Sequence, residues 1–505
     1  MVGRDVRYMN NQKAEKGMKN WKIILVCLVI SFLFLLICSN NSFLYAFNDN
    51  QDVNWYITMG NGLLDGKMPY RDLFEQKGPL VYLVFSILCL FSNAYRAVFF
   101  LEVICFSLFL FFVYKIIIKF ISSKFSMLSL ILVAFLVLTS PYFYVGGGAV
   151  EEYCLPIFAY MLLCFLEFVH DRKDFNFLRS LVWGVLIGVL LLSKFTLLFF
   201  PLIIFVYMAI YYLKEKKISC LINMIRCFVL GLLIVVLPVS LFFLGKGAFS
   251  YLLEVYFYDN IFRYKTNTSI FYNFKNIALK GAAPFIFMII GTCFYQNKFK
   301  HENYKYAYLI LFVSSLLFIL ITGNFAYYCL PLVVFVPLGV AFCLEYIFSK
   351  KPNLFNKYIK LWCTVLLFIL CLLFGNGTIE LNDKKKDYIQ FQVAEDIRKI
   401  NNENPTLFCY KLWDYGFYNA LDVVPNVKYY ANNLLEEEDF PEMYDAFRSY
   451  ISNNETEFLL VDKEVYEEEQ NFISEYYNYY KTYSYKHYKD NYRSFEMTLI
   501  LLISK

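Results

Sequence analysis

Charged side chains are scarce in this sequence, and histidine is almost missing. Asp, Glu, Lys and Arg make up 18% of the 505 residues, against about 25% in ordinary soluble domains. A chain this poor in charge cannot clothe its whole length in solvated surface. The histidines are His170, His301 and His487. The first two fall in segments read below as cytoplasmic, so a general base on the opposite side is more readily a carboxylate. There is no Walker loop, no GxGxxG in a βαβ setting, no GxSxG and no HExxH. Their absence leaves ATP-driven transport and the common hydrolase chemistries without support. The chain has fourteen cysteines but neither a CxxC pair nor a Cys/His cluster, so neither a zinc site nor a disulfide framework is indicated. All but Cys409 lie in or beside apolar segments, where they read as small core residues of helices. The net charge of +5 forms no basic stripe of the kind that binds nucleic acid.

What the chain has instead is apolar length. Hydrophobic residues make up 59% of it and aromatic residues 21%, for a mean hydropathy of +0.48. Ile23–Ile37, Phe125–Val150 and Phe195–Leu213 carry no charge. A helix needs about 20 apolar residues to cross the hydrocarbon, so several such runs predict a polytopic α-helical membrane protein. Arg4, Arg7, Lys13, Lys16, Lys19 and Lys22 precede the first run. No small-x-small cleavage site follows it, and Leu36-Ile37-Cys38 is a poor lipobox. The run therefore reads as a retained helix with a cytoplasmic N-terminus.

Charge alternation then sets the topology. Helices are expected near 22–39, 96–118, 126–143, 153–169, a hairpin turning at Lys194, 222–244, 277–296, a second hairpin ending at Lys350, and 360–375. That makes about eleven spans, and every inner loop is basic. Residues 79–91 are apolar but too few to span, and treating them as a span would put Lys115, Lys119 and Lys124 outside. They read as an interfacial or re-entrant helix. Beyond about residue 380 the composition turns polar, acidic and Tyr-rich. An amphipathic helix is expected over Asp387–Asn402 and another over Pro441–Ser452. Strands are expected at Thr406–Tyr410, Val427–Ala431, Glu457–Val461 and Phe495–Leu502. The predicted organisation is a transmembrane domain over 1–380, whose outer loop 40–95 carries juxtamembrane helices, and an extracytoplasmic α/β domain over 381–505.

The outer loop 40–78 concentrates Asp49, Asp52, Asp65, Arg71, Asp72, Glu75 and Lys77. Glu151 and Glu152 lie at the outer end of the third helix, on the same predicted side. Acidic residues in an outer loop are often merely solvated, and Asp65 reads that way. Glu102, several residues inside a span, is costly as a charge and reads either as the partner of a loop cation or as a structural hydrogen-bond partner. Asp259, Arg263, Tyr264 and Lys265, in an aromatic outer loop, could bind donor phosphate or acceptor, although aromatic residues in outer loops commonly anchor the interface.

The run Asp52-x-x-x-Tyr56, Gly60, Gly66, Pro69-Tyr70-Arg71-Asp72 and Phe74-Glu75-Gln76-Lys77-Gly78-Pro79-Leu80 resembles the first outer loop of the GT-C glycosyltransferases. The likeness is to the bacterial relatives of protein O-mannosyltransferases and lipid A aminoarabinose transferases. It extends by motif over about residues 20–200 and by architecture beyond. The resemblance implies that Asp52 is the catalytic base, with Glu151 or Glu152 as a second acidic position. It implies that Glu75 and Lys77 match a Glu-Lys element, here separated by Gln76, and that Lys194 matches a lysine at the outer end of a later helix. Tyr56, Tyr70, Arg71, Asp72 and Arg263 complete the expected substrate-binding set. The implied donor is a polyprenyl-phosphate sugar, and the acceptor a glycan, lipid or protein at the outer face of the plasma membrane. A divalent cation would suit carboxylates beside a phosphate. The alternative reading is a non-catalytic transporter or flippase of lipid-linked glycans. Such a protein should carry ionisable groups near the bilayer midplane and often repeats, whereas this sequence gathers its acids near the outer surface.

The topology has a direct check. A cysteine introduced at Asp65 is expected to react with an impermeant maleimide added outside intact cells, and one at Glu215 only after permeabilisation. Reversed labelling would invert the map.

Overall fold

The computed structural model describes residues 19–505 apart from 265–268, 303, 323–324, 352–356, 376–377, 433–434 and 491–492. The cations from Arg4 to Lys16 and Lys265 lie outside the described residues. Among those described, six helices are long and apolar enough to cross a bilayer: Asn20–Cys38, Ala94–Phe120, Val150–Asp171, Phe195–Lys214, Ile218–Gly245 and Ala326–Lys350. A seventh crossing is available to Ile270–Lys280 with Ala282–Lys298, a pair bent by 95°. Ser123–Leu138, Phe177–Ser193, Ala307–Thr322 and Lys360–Phe374 are apolar but shorter. A helix of about 16 residues reaches about 24 Å, less than the ~30 Å hydrocarbon core. Helix length therefore establishes a membrane protein with six or seven long spans, but not the eleven expected.

The loop after the first helix is structured. Asn50 caps the helix Gln51–Leu64 by accepting the Asp52 N–H at 3.0 Å, which satisfies a donor that the helix start would leave free. Pro79, whose missing N–H costs nothing at a helix start, opens the short helix Pro79–Cys89 where an interfacial helix was expected. These two helices pack backbone to backbone. A Cβ on Gly60 would lie 2.8 Å from the Phe85 carbonyl carbon.

Two expectations for the middle of the chain change. Much of the predicted loop 245–275 is helical, over Leu252–Arg263 in π geometry and Ile270–Lys280. The single span expected at 277–296 is the second arm of the bent pair, because the chain turns at Gly281.

The C-terminal part carries a four-stranded sheet in the order β1-β2-β4-β3, with β1 Leu407–Tyr410, β2 Phe458–Asp462, β3 Tyr477–Asp490 and β4 Arg493–Ser504. β1 and β2 are parallel, and β4 runs antiparallel to both β2 and β3. Helices Ile389–Ile400 and Pro441–Ser452 form where expected. Val427–Ala431 is not a strand. Its backbone is engaged otherwise: the Lys428 carbonyl accepts the Phe74 N–H at 2.9 Å, and the Tyr430 carbonyl accepts the Tyr418 hydroxyl.

A seam joins the part of the chain that carries the sheet to the helix that carries Asp52. Trp55 stacks on Trp413 with centroids 5.5 Å apart. Asn419 donates to Asn54 at 3.0 Å, and the Thr58 hydroxyl donates to Asp414 Oδ2 at 2.9 Å. Asp414 is fully buried. Burial raises its carboxyl from 3.8 to about 6, against the opposing bonds from Gly416 and Thr58. Because the folded-state value lies above the unfolded one, the native state binds this proton more tightly. Ionisation therefore costs stability progressively as pH rises from about 4 to about 6, and fully above that. Thr58→Val removes a donor that only partly offsets this cost. The variant is expected to be less stable by about 1–3 kcal/mol, with the larger loss at pH 7.5 and the smaller at pH 5. Thermal unfolding at the two pH values would measure it.

Candidate functional site

The capped start of Gln51–Leu64 presents Asp52, and the turn Glu75–Gly78 presents Lys77 to it. Lys77 Nζ lies 3.4 Å from Asp52 Oδ1 and 3.9 Å from Glu75 Oε1, with 16% of the lysine side chain and 15% of the aspartate side chain exposed. The ammonium sits 5.5 Å from the centroid of the Tyr56 ring. Burial works against this charge, but Asp52, then Tyr56 and Glu75, outweigh it and hold Lys77 well above its ordinary range. Glu75 is buried, and its Oε2 accepts both the Lys77 N–H at 2.9 Å and the Tyr82 hydroxyl. Glu75 thus braces the turn from inside, while Lys77 carries the charge to Asp52. The Gln76 carbonyl between them accepts Asn260 Nδ2 at 2.8 Å, which ties the turn to the π-helical segment.

Gly78 brings in the second cation. Its N–H donates to the Ser193 carbonyl at 3.0 Å, and a Cβ there would stand 2.1 Å from the Leu192 oxygen. Only glycine lets the turn close on the end of Phe177–Ser193. The next residue, Lys194, pairs with Glu151 Oε1, and its Nζ lies 3.3 Å from the centroid of the Tyr328 ring. Burial lowers the Lys194 pKa; Glu151 opposes the shift and the Lys77 charge adds to it. Two largely buried lysines and three carboxylates therefore converge from four stretches of chain.

Glu151 and Glu152 separate. Glu151 faces Lys194, whereas Glu152 Oε1 accepts the Ala149 N–H at 3.4 Å and its side chain lines a small cavity with Glu102 and Tyr144. Glu102 accepts from Ser39 Oγ at 2.6 Å and Asn41 Nδ2 at 2.8 Å. It is a structural hydrogen-bond partner for the root of the loop.

Among the described residues, Tyr56 Oη, Gln76 Nε2 and Glu151 Oε2 are buried without a hydrogen-bond partner. Buried polar atoms are seldom left so, and three on the residues of one cluster suit a polar ligand with several oxygens. No group of three or more His, Cys, Asp and Glu side chains among the described residues is arranged to hold a metal ion.

The remaining expected residues are engaged elsewhere. Tyr70 donates its hydroxyl to the Lys77 carbonyl at 2.7 Å, and so supports the turn. Arg71 forks onto Asp72 at 2.9 and 2.8 Å and reaches the Lys246 carbonyl at 2.7 Å. Arg263 pairs with Glu442, lies 3.5 Å from Asp259 and covers the Phe440 ring at 4.8 Å. Three neighbours of the cluster carried no sequence signal. Tyr327 and Tyr328 flank Lys194, yet aromatic residues at the end of an apolar run read as an interfacial belt. Tyr256 donates to the Leu191 carbonyl and accepts from the Phe195 N–H, locking the backbone on both sides of Lys194.

Residues 10–359 match the family model described as "Putative competence-induced protein Ccs4 N-terminal domain". No curated protein matches the chain. Among solved structures, the crystal structure of ArnT from Cupriavidus metallidurans bound to undecaprenyl phosphate aligns with a TM-score of 0.63 at 12% identity, covering 95% of this chain and 97% of that one. The apo form of the same protein aligns with a TM-score of 0.62 at 12% identity and the same coverage. Identity this low speaks for the fold, which is the GT-C fold that the loop motif led us to expect. The family match covers well over half of the sequence, and the chain belongs to the competence-induced Ccs4 family.

Proposed function

We propose that this protein is a membrane glycosyltransferase that moves a sugar from a polyprenyl-phosphate donor to a glycan, lipid or protein acceptor, with inversion at the anomeric carbon. The observation that carries the reading is the pairing of Asp52 with Lys77 at 3.4 Å beside a second buried lysine, Lys194, in a GT-C fold. Asp52 takes the proton of the acceptor hydroxyl as its oxygen attacks the anomeric carbon. The bond from that carbon to the phosphate oxygen breaks, and its electron pair leaves with the phosphate. Lys77 and Lys194 neutralise the departing charge, and in a site shielded from water such preplaced charges count for far more than in solvent. Glu151 holds Lys194, and its free oxygen, with Tyr56 Oη and Gln76 Nε2, is available to sugar hydroxyls.

The proposed topology counts the four shorter apolar helices as crossings, which brings the total to the expected eleven, with the basic loops in the cytoplasm. Residues 1–380 then form the catalytic membrane domain of a plasma-membrane protein. Residues 381–505 form an extracytoplasmic domain seated on the helix that carries Asp52, beside the acceptor's approach.

The test is release of polyprenyl phosphate from a panel of labelled polyprenyl-phosphate sugars by purified protein in lipid nanodiscs, with cell-envelope extract as acceptor. Turnover of one donor is expected, reduced about 10²–10⁴-fold by Asp52→Asn without loss of folding. Undiminished turnover would remove Asp52 from the role of base. In the same assay Lys77→Ala is expected to lower donor turnover or raise the donor KM about tenfold or more. Unchanged kinetics would take Lys77 out of the phosphate site.

A further inference from the structure

The last apolar helix, Lys357–Phe374, packs on the first helix and on Ser126–Leu138 and leaves its other side open. Leu361, Trp362, Leu366, Ile369 and Leu373 are exposed, while Leu367 and Cys371 are buried. Two side chains of the helix, and one from the turn Thr378–Glu380 beyond it, meet the first helix and its continuation in three successive contacts. Phe368 packs edge-on against Phe34 with centroids 5.6 Å apart. Cys371 Sγ lies 3.5 Å from Cys38 Sγ. Asn40 Nδ2 donates to Glu380 Oε2 at 3.1 Å. The two thiols therefore sit mid-seam, both fully buried, where the first helix gives way to the loop that carries Asp52 and the last helix leads to the sheet domain.

We propose that Cys38 and Cys371 form a reversible disulfide that pins the last apolar helix to the first. The oxidant is a small apolar disulfide, which can enter a seam closed to a protein oxidoreductase. The thiolate of one cysteine attacks it, forming a mixed disulfide and releasing one thiol. The second cysteine then attacks the protein sulfur of that intermediate and releases the other thiol. One sulfur–sulfur bond forms in the protein, one breaks in the oxidant, and the two protons and two electrons pass to the oxidant's thiols. Closure from 3.5 Å to the about 2.05 Å of a disulfide asks for rotation of the two side chains. The cross-link would join residues 333 apart in sequence, and long loops constrain the unfolded chain most. The topology proposed above puts both thiols at the outer end of their helices, on the side where disulfides persist. No step of the proposed sugar transfer enters the inference.

The experiment uses the full-length protein in nanodiscs, treated with 4,4′-dithiodipyridine, whose small apolar rings suit buried thiols, then trapped with N-ethylmaleimide and mapped by mass spectrometry. The expected result is a peptide pair linked through Cys38 and Cys371, released by dithiothreitol, with a midpoint of thermal unfolding raised by about 3 °C or more. Cys371→Ala should lose both the cross-link and the rise. Recovery of the two cysteines as separate adducts from wild-type protein would overturn the proposal, whatever the variant does. A cross-link without a higher midpoint would overturn the pinning. Both readouts are independent of turnover, so failure of the proposed transferase reaction would leave them unaffected.

Discussion

The largely buried ammonium of Lys77 is the constraint around which the site is built. A cation at this depth survives only if its lost hydration is replaced, and Asp52, Glu75 and the Tyr56 ring replace it. The partners arrive from two elements: Asp52 and Tyr56 from successive turns of the helix capped by Asn50, and Glu75 from the braced turn. The turn can reach Asp52 only because Gly78 lets it lie directly on the backbone of Leu192 and Ser193. The same contact brings Lys194 beside the first cation. One glycine without a side chain thus joins two otherwise separate ion pairs.

Much of this was legible in the sequence, for identifiable reasons. The short helix after Gly78 followed from its length and from the lysines at the far end of the next run, and it forms at Pro79–Cys89. The Asp52 to Lys77 stretch drew notice as charge between apolar runs, and its resemblance to the GT-C outer loop singled out Asp52, Glu75 and Lys77. Choosing between Glu151 and Glu152 lay beyond sequence reasoning, because adjacent residues at a helix start point about 100° apart and only the packing of Phe177–Ser193 shows which one meets Lys194. Arg263 carried a charge in a suggestive loop, but its partner Glu442 comes from a segment 179 residues away. Strand β3 was invisible because Tyr477–Asp490 mixes Tyr and Lys on both faces, with no apolar alternation to read. Val427–Ala431 erred the other way. It has the composition of a strand, but its carbonyls are claimed by the Asp52 loop and by Tyr418.

The sheet domain is more than an appendage to the membrane part. Trp413, Asp414 and Asn419 all address the helix Gln51–Leu64, and Lys428 addresses the turn region through Phe74. The sheet therefore buttresses the element that presents Asp52 from the side opposite Pro79–Cys89. Asp414 is an acid kept buried at that contact despite the cost of its charge, and it does so by accepting from a helix residue six positions beyond Asp52. Such a polar contact fixes register more narrowly than apolar packing alone, because a shifted arrangement would strand the carboxylate.

The pairing of Asp52 with Lys77 also bears on how the proposed transfer keeps its electrostatic cost low. Before reaction the ammonium is balanced by Asp52 at 3.4 Å. As Asp52 takes the acceptor's proton it becomes neutral, and in the same step the leaving phosphate gains a negative charge. One anion fades on one side of Lys77 while another grows, so the buried cation is never left without a partner. Glu75 stays fixed beneath the turn by the Lys77 N–H and the Tyr82 hydroxyl, and Glu151 keeps Lys194 in place. A lysine shared between base and leaving group couples the two events, since proton removal from the acceptor releases the charge that the departing phosphate needs. A lysine devoted to the phosphate alone would lack that coupling, so in the proposed transfer the Asp52–Lys77 contact serves the reaction as well as the resting state.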